Sequence, residues 1–297
     1  EFDSNRCSMR GAAISSYSAD IRIVDSIFSS NDATASPAAV IYSLTSGDIT
    51  ISGSRFSTNR TQVIDGRGDL SVTDSTFIDN RGGYNGIIHN TGSQTHLDQI
   101  VVTGNDPGTS LQGDIVINAS NKSAFTLRNS EVSGNVGIGV AARNTDYTLI
   151  DNSRISNNAD NGIVVSGDTA IIRYSTLSGN ALTTDFAPDE GAGILSSATN
   201  TLISHSRILD NTAYRIANSS ITHNNGGGVA VTDGHTIIQY SEIVGNSAGN
   251  RGGGVFVDPA STSTPSVSIV NSTITGNTAG IAGGGLYTGG TNNNRVT

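Results

Sequence analysis

Apolar residues along this chain come in short clusters that keep a fixed distance from a recurring asparagine. The asparagines are Asn5, Asn31, Asn59, Asn80, Asn105, Asn135, Asn158, Asn180, Asn211, Asn246 and Asn277, with gaps of 21 to 35 residues. Three residues before each stands an apolar side chain: Phe2, Phe28, Phe56, Phe77, Val102, Val132, Ile155, Leu177, Ile208, Ile243 and Ile274. Eight before the last ten stands another, from Ile23, Ile51 and Val72 through to Ile238 and Ile269. Five before, Ser fills every one of those ten repeats except the one where Ile100 replaces it. This alternation has the period of two that marks a β-strand, and no stretch keeps a helical period over an ordinary helix length.

Past each asparagine the chain usually runs through glycine into a second apolar run, as in Gly162-Ile163-Val164-Val165 and Gly254-Val255-Phe256-Val257. A third short run follows, as in Asp48-Ile49-Thr50-Ile51 and His235-Thr236-Ile237-Ile238. Each repeat therefore predicts three short strands with turns between them. One such repeat cannot bury its own apolar side chains, whereas stacked repeats place like positions ~4.8 Å apart in parallel sheets. The expectation is an all-β, right-handed, single-stranded parallel β-helix of about eleven coils. It fills 1–297 as one domain and is read as a fragment of a longer chain. Positions −8, −5 and −3 from the asparagine should face inward. The asparagine itself is placed at a turn, where it tolerates a left-handed φ and its amide can bond backbone or the next asparagine along the column, as a ladder. Leu182–Glu190 and Tyr214–His223 read as insertions, and the segment Asn218–Asn224 within and beyond the second resembles a degenerate coil.

Four repeats carry F-x-x-N: Phe2-Asp3-Ser4-Asn5, Phe28-Ser29-Ser30-Asn31, Phe56-Ser57-Thr58-Asn59 and Phe77-Ile78-Asp79-Asn80. Gly11-Ala12-Ala13-Ile14 and the later Gly-Gly-Gly-Val/Leu tracts follow G-G-A/G-[ILV]. Together these resemble the repeats of polymorphic outer-membrane proteins, of the autotransporter-passenger type. More loosely, they resemble the right-handed β-helix repeats of pectate-lyase-like proteins. The resemblance covers nearly the whole chain and implies the fold. It implies little about activity, because that fold hosts lyases, hydrolases and adhesins alike.

Composition suits many tight turns, with 36 Gly among 297 residues, one Met and no Trp. A formal charge of −9 argues against nucleic acid as a partner, since phosphates demand a basic face. No apolar run is long enough to span a membrane in this segment. Cys7 is the single cysteine, so no internal disulfide forms. Glycosylation acceptor triplets begin at Asn59, Asn118, Asn121, Asn218 and Asn271.

A lyase on such a scaffold needs Ca²⁺ on clustered carboxylates and a nearby base, and a glycosidase needs paired carboxylates. Glu occurs only at positions 1, 131, 190 and 242, and no Asp cluster or Cys/His metal spacing accompanies them. No catalytic residue, metal site or cofactor is assigned, and Ca²⁺ would enter only with lyase activity. One lateral cluster stands out. Six residues before the column asparagine, consecutive repeats carry Tyr174, His205 and Tyr240, with Arg173, Arg207 and Glu242 beside them. In a stack these six form an outward strip suited to glycan contact. Arg67-Gly68-Asp69 lies between two strands and resembles an integrin-binding tripeptide on a turn. Charges of alternating sign (Asp98, Arg128, Asp151, Arg173; Glu131, Arg154; Arg207, Glu242) predict outward ion-pair ladders. The functional expectation is an extracellular or cell-surface module acting in adhesion, glycan binding or surface structure. Glycans or surface proteins would be its partners, and it would stack end to end with neighbouring repeats or subunits. The competing reading is a polysaccharide lyase.

Overall fold

The computed structural model describes the chain except for residues 35–37, 84, 109–113, 122, 183–189, 215–223, 259–263, 290–294 and 297. Among the described residues there is no helix, and every strand pairing is parallel. Eleven short strands, from Phe2–Asp3 and Ile27–Ser29 to Glu242–Val244 and Thr273–Thr275, form one sheet in strict coil order. Their register follows the offset from the column asparagine: Phe28 faces Phe56, Phe77 faces Val102, and Ile208 faces Ile243. The chain is thus a parallel β-helix of eleven stacked coils.

Two more faces close each coil, for example Gln62–Gly66 with Leu70–Thr73, and Ile88–Asn90 with Gln94–Asp98. In the middle of the solenoid the expected turn between these faces is absent. There each coil runs through both faces as one bent strand: Ile138–Asp151, Ile163–Arg173 and Ile194–Ser204. The pairing shifts register between Ala142 and Thr145, a bulge that bends the strand without ending it. Of the two insertions, 183–189 and 215–223 lie outside the described residues, and so does nearly all of the degenerate coil read at Asn218–Asn224.

Side chains at −8 and −3 fill the interior. Phe28, Phe56, Phe77, Val102, Val132, Ile155, Leu177, Ile208 and Ile243 have no exposed surface; in the two end coils Phe2 is exposed and Ile274 is partly open. The four phenylalanine rings stack at 4.6, 4.8 and 4.8 Å, the coil height itself. Each such burial contributes ~1.5–3 kcal/mol, so the interior rather than any single turn holds the coils together.

The asparagine column is also interior, which corrects its expected place at a left-handed turn. The left-handed residue is the one before it: Ser4, Ser30, Thr58, Asp79, Gly104 and their counterparts have φ between 52° and 70°. That turn swings the asparagine inward. Each Nδ2 donates to the Oδ1 of the next coil at 2.8–3.0 Å. It also donates to the carbonyl at position −3 of the preceding coil, as from Asn158 to Val132 at 3.2 Å. The same Oδ1 accepts a backbone N–H from the coil below, as in Asn105 to Asn135 at 2.9 Å. A buried amide left unpaired costs ~1–3 kcal/mol, so the repeat of one residue type here is a satisfaction problem solved the same way in each coil. Glycine supplies the clearance: a Cβ on Gly162 would lie 2.8 Å from Asn180 Nδ2. The serines at −5 make a second, lighter ladder. From Ser54 onward each Oγ accepts the backbone N–H of the coil below at 3.1–3.2 Å, Ile100 being the one member that offers no hydroxyl.

Candidate functional site at the solenoid corner

Each coil after the first has a second left-handed residue, six before the asparagine, where the strand ending at −7 turns toward the strand beginning at −4. The series is Asp25, Gly53, Asp74, Gln99, Asn129, Asn152, Tyr174, His205, Tyr240 and Asn271, with φ between 45° and 58°. Asp, Asn and Gly enter this conformation readily, because they lack a bulky side chain or bond their own backbone. A tyrosine there is an outlier, and such strain concentrates where function requires it. Three consecutive coils nonetheless use Tyr174, His205 and Tyr240.

Their rings stack on one another at 5.0 and 5.1 Å, tilted by 30° and 24°. Burial does not repay them, since Tyr174 is 56% and Tyr240 52% exposed. Arg173 clasps Asp151 with two bonds, Nε–Oδ1 at 3.1 Å and Nη2–Oδ2 at 3.0 Å, while its guanidinium lies 6.0 Å from the Tyr174 ring centre. The Asp151 hydrogen bond first, and then its charge, raise the Arg173 pKa above its ordinary value. On the other flank Arg207 Nε donates to Glu242 at 2.9 Å. All six residues expected in the strip therefore meet on one exposed edge.

The charge rows pair in the expected register, with Asp98 opposite Arg128, Arg128 opposite Asp151, and Glu131 opposite Arg154. Ion pairs form at only some of them. Asp151 draws Arg128 to 3.9 Å as well as Arg173 to 3.0 Å. Asp98 instead accepts from Asn129 Nδ2 at 2.8 Å. Glu131 accepts from Ser133, and Arg154 Nε donates to Ser156. Both of those serines lie two residues along the same strand, on the same face and within easier reach than the next coil.

Sequence reasoning missed the foot of this strip. There Gln99, Asn129, Asn152, Glu131, Arg154 and Tyr174 line an open groove of about 520 Å³. Their constant offsets of −6 and −4 from the column asparagine would have found it. Also missed was a buried pair on the outer face of another sheet. His89 Nδ1 lies 2.9 Å from Asp65 Oδ1, with Tyr42 and Asn118 on the coils to either side. Asp65 and His89 stand at offsets from their next column asparagine that differ by one, because turn lengths vary, so no repeat pattern marks them.

Arg67-Gly68-Asp69 is placed differently from the strip. Arg67 projects, but Gly68 is buried, and a Cβ there would lie 2.5 Å from the Gly47 carbonyl. The Asp69 N–H donates to Asp48 Oδ1 at 2.8 Å, and Asp69 Oδ1 accepts the Gln94 N–H at 3.0 Å. Its carboxylate is engaged in linking coils. Among the described residues, no three His, Cys, Asp or Glu side chains gather as metal ligands.

A family model described as a right-handed beta helix region matches residues 63–220, more than half of the chain. Its hand is the one that parallel crossovers adopt in nearly all proteins. Neither the curated proteins nor the solved structures include a match.

Proposed function

The chain belongs to the right-handed β-helix family, and from that premise we propose that it is a binding module of a cell surface or the extracellular space. Its ligand is a glycan held along the Tyr174–His205–Tyr240 corner. One observation carries this reading: three bulky rings occupy left-handed positions that Asp, Asn, Gly and one Gln fill elsewhere, and Tyr174 and Tyr240 remain more than half exposed. Exposed aromatic edges with flanking guanidinium and carboxylate groups suit the mixed apolar and hydroxylated surface of a sugar. The stack is rigid before binding, because each ring is held by its neighbour and Arg173 by Asp151. A preorganised surface loses little entropy on association.

The test is a glycan-array screen of the whole chain, followed by titration of the best binder. Replacing Tyr174 and Tyr240 together by Ala should lower affinity by about tenfold or more, on the scale of 1–2 kcal/mol for lost aromatic contacts. Undiminished binding by the double variant would remove this edge as the site.

A further inference from the structure

The strip and the groove at its foot form one surface, and its charge indicates which sugars it accepts. Resting on the glycan reading above, we infer that the groove is a subsite for an uncharged sugar residue, in a neutral chain laid parallel to the solenoid axis.

Four cations and four anions occupy the flanking −7 and −4 positions of these coils. Arg128, Arg154, Arg173 and Arg207 are matched by Asp98, Glu131, Asp151 and Glu242, a local sum of zero in a chain whose formal charge is −9. Arg128 and Arg173 share Asp151, and Arg207 is held by Glu242. Arg154 and Glu131, on neighbouring coils, are the remaining opposite pair beside the groove. A uronate chain would bring one negative charge per sugar past Asp98, Glu131 and Asp151 without a surplus cation to receive it. Recognition of carboxylates uses uncommitted guanidinium forks, and here Arg173 is hydrogen-bonded to Asp151 and Arg207 to Glu242, while Arg128 stands 3.9 Å from Asp151 as an ion pair without a hydrogen bond from its Nε.

The groove floor instead offers amides. Asn152 Nδ2 donates to Asn129 Oδ1, and Asn129 Nδ2 donates to Asp98, each at 2.8 Å. Each amide group carries two N–H donors, so one remains on each residue, and Asn152 Oδ1 keeps its acceptor capacity. Donor and acceptor side by side match sugar hydroxyls, which both give and take hydrogen bonds. Within the aromatic stack the inner ring faces are covered by each other, leaving the face of Tyr174 on the groove side as the platform for a pyranose ring. Successive residues of an extended glycan advance by roughly one coil height, ~4.8 Å, so one sugar per coil keeps the chain in step with the amide column.

The experiment titrates the whole chain with a neutral hexose oligosaccharide and with an oligouronate of matched length, at low and at high salt. The neutral chain should bind with little salt dependence, and the oligouronate should not bind. Asn152→Ala and Arg154→Gln should each weaken the neutral chain about three- to tenfold, the loss of one or two hydrogen bonds. Salt-sensitive preference for the oligouronate would overturn the inference, and unchanged affinity in both groove variants would do the same. If Tyr240→Ala weakens binding while the groove variants do not, the strip stands and the groove falls. If no glycan of either kind binds, both fall.

Discussion

The asparagine ladder and the corner column climb the same solenoid, one residue per coil and six positions apart, yet only one of them is uniform. Inside, all eleven positions are Asn, because a buried amide must meet its neighbour's amide above and a carbonyl below. Outside, the corner carries Asp, Gly, Gln, Asn, Tyr and His, because solvent satisfies whatever the next coil does not. Both columns depend on a left-handed backbone residue, at −1 for the ladder and at −6 for the corner itself. Burial, rather than backbone geometry, decides which column is fixed and which can be adapted to a ligand.

The comparison is broken most forcefully in the ladder. Asn158→Ala removes the acceptor for the Asn135 backbone N–H and Nδ2, along with the donor to Val132 and Asn180. At ~1–3 kcal/mol for each stranded group, it should cost about 3–5 kcal/mol in a urea melt. Asn152→Ala, at the corner of the same coil, should cost about 1–2 kcal/mol, mostly the strain of Ala at a left-handed φ, and equal losses at the two sites would erase the distinction. The buried Asp65–His89 pair gives an outer-face case that behaves as interior. Asp65→Ala strands a nearly buried imidazole nitrogen and should cost about 1–3 kcal/mol.

Cavity substitutions come next. Ile208→Ala and Ile243→Ala should each cost ~2–5 kcal/mol, and a thermal melt unchanged by either would contradict the buried column. The exposed ion pairs come last. Asp151→Asn should cost ~0–1 kcal/mol, although it releases Arg173 and Arg128 together, and the loss should shrink at high salt.

The coil register was legible because the inward positions repeat at constant offsets, and the strip became legible through the same offsets. Its ring stack and the Arg207–Glu242 pair follow once Tyr174, His205, Tyr240 and their neighbours are placed one coil apart. What the repeat does not encode is choice among nearby partners. Glu131 and Arg154 face each other in register, yet each takes a serine on its own strand. The bent strands of the middle coils were hidden because a bulge and a turn both read as a break in alternation. The Asp65–His89 pair was hidden because it lies beyond a turn of variable length from its column asparagine.

The central claim is that Tyr174, His205 and Tyr240 are carried for binding and not for the fold. A triple variant, Tyr174→Asn, His205→Asn and Tyr240→Asn, would extend the amide corner of Asn129 and Asn152 along three more coils. It exchanges stacked rings, worth ~0.5–1.5 kcal/mol a pair, for residues better suited to left-handed φ, so its net stability should lie within about 2 kcal/mol of the parent. The decisive measurement is calorimetric titration of this folded variant with the best glycan from the array. The account predicts that binding is lost while the thermal melt stays cooperative and close to the parent; full affinity in the triple variant would contradict it.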